Sequence, residues 1–83
     1  MTDLYTRIHS RARELEPEIA RFLCDLIRTP SHSTKEKEVV AVIDREMRAL
    51  GFDEVRVDGL GSIIGQVGRG KRLVAFDAHI DTV

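Results

Sequence analysis

Gly51-Phe52-Asp53-Glu54-Val55-Arg56-Val57-Asp58-Gly59-Leu60-Gly61-Ser62-Ile63-Ile64-Gly65-Gln66-Val67 is where the chain changes its hydrophobic period. Val55-Arg56-Val57-Asp58 alternates apolar and polar side chains, the pattern of a half-buried strand. Gly59-Leu60-Gly61 supplies a turn, and Ser62 to Val67 reads as a second strand. Upstream the apolar residues return every three or four positions, which is helical. The chain is therefore of the α/β class, with its helices before its strands.

Immediately upstream, Val39, Val40, Ile43, Met47 and Leu50 form the apolar face of a helix. Ser33-Thr34-Lys35-Glu36 matches a capping box that would open it, and Gly51 suits the residue just past its end. Further upstream Leu4, Ile8, Leu15, Ile19, Phe22, Leu23, Leu26 and Ile27 form one stripe. The stripe keeps its phase across Pro17, so the expectation is one helix kinked at the proline rather than two. It must stop before Pro30, because the residue preceding a proline avoids the helical region. Downstream, Gly68-Arg69-Gly70-Lys71 reads as a hairpin connection, and Arg72-Leu73-Val74-Ala75-Phe76 as a third strand buried on both faces.

Composition bounds the function. Of 83 residues, 42% are apolar and 33% charged, which excludes a disordered tail and a collagen-like repeat. The longest apolar run, Val39 to Ile43, is far below the ~20 residues of a membrane span. No secretory signal pattern opens the chain, so a cytoplasmic protein without membrane partners is expected. Thirteen basic residues against fourteen acidic ones argue against non-specific nucleic-acid binding. A single cysteine excludes an intrachain disulfide framework. Cys24 borders the first stripe and reads as a partly buried, inert thiol.

The chemistry concentrates in Asp77-Ala78-His79-Ile80-Asp81, directly after the third strand. In extended backbone, residues two apart share a side, so Asp77, His79 and Asp81 would face together. Functional groups in open α/β sheets gather beyond the carboxyl ends of the strands. Imidazole and carboxylate side chains placed there suit a zinc-like cation. The plain alternative is a histidine closing the strand end beside two solvated aspartates. His32 reads as an exposed loop histidine and His9 as part of a solvated helix face. Arg7, Arg11 and Arg13 are followed by Glu14, Glu16 and Glu18, which suggests a salt-bridged surface. Gly65, Gly68 and Gly70 do not match a dinucleotide fingerprint, so a nucleotide-binding domain is the weakest reading.

Phe76 to Val83 resembles the first metal motif of the co-catalytic zinc hydrolases, the family of aminoacylase, acetylornithine deacetylase, succinyl-diaminopimelate desuccinylase and glutamate carboxypeptidase. Phe22 to Ser33 resembles that family's opening helix and Pro-Ser loop. Glu36 to Phe52 resembles its second helix, and Gly59 to Gly65 the strand before the metal motif. Many members carry asparagine where this chain has Ser62. The final motif is most similar to a branch of hydrolases linked to selenium metabolism.

The resemblance implies the start of a three-layer α/β/α catalytic domain, with the rest of that domain and a lid or dimerisation domain beyond Val83. Residues 1–83 would be roughly the first fifth of a two-domain enzyme. It implies His79 as a zinc ligand, Asp81 as the residue that orients it, and Asp77 as a supporting residue rather than a ligand. It further implies two zinc ions (cobalt or manganese as substitutes), a small peptide or N-acylated amino acid as substrate, and a homodimer when complete. The remaining ligands and the general base would lie downstream, so these 83 residues alone are expected to be inactive and to bind zinc poorly. The competing reading is a non-catalytic α/β module that keeps the scaffold and associates through an exposed strand edge.

Overall fold

A computed structural model of the chain describes residues 3–29 and 36–80. Its elements run α1 (Leu4–Arg28), α2 (Lys37–Ala49), β1 (Glu54–Val57) and β2 (Ile63–Gln66). The described residues thus form a mixed helix-and-sheet structure, built on two helices and one two-stranded antiparallel sheet.

α1 is a single helix of 25 residues with Pro17 inside it, as the unbroken phase of its stripe predicts. Asp3 opens it: its Oδ1 accepts a hydrogen bond of 2.7 Å from the Thr6 amide, which satisfies one of the helix's otherwise unpaired first-turn donors. This cap has a sequence signal, an aspartate just before the first periodic residue, that the periodicity alone does not reveal. At the other end Thr29 turns to extended backbone (φ −99°, ψ 114°), the conformation Pro30 demands of its predecessor. The Thr29 hydroxyl donates to the Asp25 carbonyl at 2.8 Å.

α2 begins at Lys37, with Glu36 at its N-cap and no capping side-chain bond there. Ser33, Thr34 and Lys35 lie outside the described residues, as do His32 and Asp81. The helix closes in a Schellman arrangement. The Phe52 amide donates to the Met47 carbonyl and the Gly51 amide to the Arg48 carbonyl, both at 3.1 Å, with Gly51 at φ 82°.

The strands pair in the register Glu54↔Gln66, Val55↔Gly65, Arg56↔Ile64 and Val57↔Ile63. Alternation therefore puts Val55, Val57, Ile63 and Gly65 on one face and Arg56 and Ile64 on the other. α2 packs against the sheet, and its Val39 and Val40 are the buried core among the described residues. An ion pair joins the two helices: Arg21 reaches Glu46 of α2 at 2.8 Å and Asp25 of its own helix at 2.9 Å.

Three expectations fail. Residues 72–76 form no strand, and Leu73, Val74 and Phe76 are 84%, 76% and 95% exposed. An apolar run becomes a buried strand only when it pairs with a sheet edge and lies between covering layers, and residues 72–76 pair with neither β1 nor β2 and stay exposed. Gly68 to Lys71 is consequently not a hairpin connection. Cys24 is exposed, because helical geometry puts position 24 nearly opposite the stripe it seems to border in sequence.

Candidate functional site

Two aspartates bracket the β hairpin and fix its loop. At its closed end the Asp58 carboxylate accepts from the Leu60 amide at 2.9 Å and the Ser62 amide at 3.0 Å. The Asp58 amide meanwhile donates to the Ser62 carbonyl at 2.9 Å, and the Gly61 amide to the Asp58 carbonyl at 3.1 Å. One side chain thus organises the whole turn, in the manner of an Asx turn. At the open end the Asp53 amide donates to the Gln66 carbonyl, and its carboxylate accepts from the Gly68 amide at 2.6 Å. That bond sets the direction in which the chain leaves β2 for residues 77–80.

The loop held by Asp58 forms one wall of a cleft of about 410 Å³. Gly61 and Ser62 line this cleft together with Asp77 and His79, and Glu36, just before α2, is also among its lining residues. Three stretches far apart in sequence meet there. Asp77 and His79 line this cleft together with Ala78 and Ile80 between and beside them, and the backbone carrying them is not in a regular strand. The contribution of Glu36 is tertiary, and nothing in its own neighbourhood of sequence marks it.

The donor chemistry of this cleft is partial. Among the described residues no three His, Cys, Asp or Glu side chains come together in a group able to hold a metal ion. A catalytic zinc takes about three protein ligands, and the described residues do not bring such a set together. The expectation for Asp81 lies outside the described residues. His9 is exposed on α1, and the arginine-glutamate surface is partly realised in the Arg11–Glu14 ion pair at 2.9 Å. No helix among the described residues is long and apolar enough to cross a membrane.

The chain is similar to the uncharacterised protein YgeY of Escherichia coli K12 and to YgeY of Escherichia coli O157:H7. In each case 47% of residues are identical over 76 positions, covering 92% of this chain and 19% of the relative. The chain therefore spans about a fifth of the length of the curated relatives it matches. No family model matches the chain, and no solved structure matches it significantly.

Proposed function

We propose that these residues are the amino-terminal part of a zinc-dependent hydrolase that cleaves the amide bond of a small peptide or N-acylated amino acid. One observation carries this reading. Three of the stretches that resemble the co-catalytic zinc hydrolases, those containing Glu36, Gly61-Ser62 and Asp77-His79, converge on a single cleft. In this reading His79 contributes one imidazole lone pair to the metal. Asp81 accepts from the other ring nitrogen and so fixes the tautomer and orientation. Asp77 supports the wall that carries His79. Bound zinc would lower the pKa of a water and polarise the scissile carbonyl. The other ligands and the general base belong to a longer polypeptide, consistent with a match confined to 19% of the relatives' length.

A second reading, a non-catalytic association module, is favoured by the exposed apolar run at Leu73, Val74 and Phe76. One experiment separates the two. A polypeptide extended in frame to the length of the relatives is purified, and its metal content is measured by mass spectrometry beside hydrolysis of a panel of N-acyl amino acids. Two zinc ions per chain, falling in His79→Ala together with hydrolysis, support the enzyme. Metal content unchanged by His79→Ala overturns it.

A further inference from the structure

α2 and the hairpin meet at a sulfur. Met47, in the last turn of α2, holds its Sδ 2.7 Å from the point where a Cβ on Gly65 of β2 would stand. Phe52 Cδ2 lies at the same distance from that point, so sulfur and ring are within the ~5 Å of a thioether–aromatic contact. The backbone ties the same two residues, the Phe52 amide donating to the Met47 carbonyl at 3.1 Å. Met47 is half-buried, so solvent still reaches the side chain that makes this contact. The only other methionine in the chain is Met1.

A thioether is the one apolar group of this junction that a peroxide alters. The sulfur gives an electron pair to one peroxide oxygen, the O–O bond breaks, and the second oxygen leaves as water. Sulfur is oxidised by two electrons and the peroxide is reduced by two. The product is a polar sulfoxide. At Met47 its oxygen would be set among the Phe52 ring and the Gly65 backbone, where no donor is offered to it. Leaving that oxygen unbonded costs more than the apolar contact returns, so the side chain quits the junction. Residues on both sides of the junction line the cleft: Glu36 just before α2, and Leu60 to Ile63 in the turn and at the start of β2. Parting α2 from β2 lets these residues move apart.

We propose that Met47 is a redox-sensitive fastener: its oxidation by a peroxide releases the end of α2 from β2 and loosens the cleft. A reductase that draws on a dithiol closes it again. The sulfoxide returns to the thioether, the dithiol becomes a disulfide, and the oxygen leaves as water. This device does not depend on what the cleft binds.

The test exposes the folded 83-residue chain to hydrogen peroxide, locates the added oxygen by peptide mass spectrometry and follows thermal unfolding by circular dichroism. Oxidation at Met47 should lower the melting temperature by at least about 4 °C. Over a time course the drop should track the oxidised fraction of Met47 and not that of Met1. Methionine sulfoxide reductase with a dithiol should restore the native value. Met47→Leu conserves volume and retains Met1 and Cys24, the other sulfurs of the chain, so peroxide should not move its melting temperature. A Met47 that stays unoxidised in the folded chain while Met1 reacts overturns the proposal. So does oxidised Met47 with an unmoved melting temperature, a drop that tracks Met1, or an equal drop in Met47→Leu.

Discussion

The ring of Phe52 lies so close over Gly65 that a Cβ at position 65 would meet its Cδ2 at 2.7 Å, and Met47 Sδ at the same distance. Met47 and Phe52 are the two residues joined by the long hydrogen bond that ends α2. The helix terminus and β2 are therefore fastened at one point, and the absence of a side chain at Gly65 is what lets them approach. Gly65→Ala should destabilise the fold by about 1–3 kcal/mol through overpacking. In a domain of this size each kcal/mol lowers the melting temperature by about 4–8 °C. Gly70→Ala, where nothing lies within 4 Å, is the control and should change little. Equal melting temperatures for Gly65→Ala and the native chain would refute the close packing.

Gly51 makes the same junction possible through its backbone rather than its size. Its φ of 82° lies in the left-handed region, with open space where a Cβ would stand. Gly51→Ala should therefore cost about 1–2 kcal/mol from conformation alone. Gly51→Asn should cost less, since asparagine tolerates that region. Denaturant melts that rank alanine above asparagine in stability would contradict this account.

Asp58 should govern the wall of the candidate site. Removing its carboxylate leaves the Leu60 and Ser62 amides to water. Asp58→Ala should cost about 1 kcal/mol, because both amides are exposed and can exchange one partner for another. Amide hydrogen exchange at Leu60 and Ser62 should accelerate in Asp58→Ala and accelerate less in Asp58→Asn, whose carbonyl oxygen still accepts. Exchange unaltered at both amides would mean that the loop holds its shape without the aspartate.

These residues also mark how far the sequence could be read. Helix and hairpin were legible where the decisive information is local: the stripe of α1, the Gly-Leu-Gly turn, Gly51 just past α2, and Thr29 forced extended by Pro30. The apolar run at 72–76 was misread because a strand is a property of a sheet. Leu73 and Phe76 cannot become buried by their own sequence, however apolar it is. Cys24 was misread because adjacency in sequence is not adjacency on a helix. At the candidate site, Asp77 and His79 stand out in the sequence by residue type, and Ala78 and Ile80 line the cleft with them without any such signal. Glu36 reaches the cleft only through the packing of α2, so no local pattern signals it.

Asp3 provides a test by pH. Its carboxylate accepts from the Thr6 amide at 2.7 Å. That backbone bond first, then the Thr6 side chain and the Tyr5 amide, lowers its pKa below the ordinary 3.8. The ionised form is the one bonded in the folded helix, so the unfolded chain takes up the proton at the higher pH. The stabilisation is fully present above 3.8 and is lost as the pH falls through the depressed folded value. Other carboxylates titrate in the same range, so the readout must be local. The Thr6 amide resonance should move in one step whose midpoint lies below 3.8. Asp3→Ala should abolish that step and fray the first turn at every pH. Asp3→Asn, which retains an acceptor oxygen but no titrating proton, should keep the turn and lose the step. A native Thr6 amide that titrates at 3.8 or above would remove the carboxylate from its place as the cap.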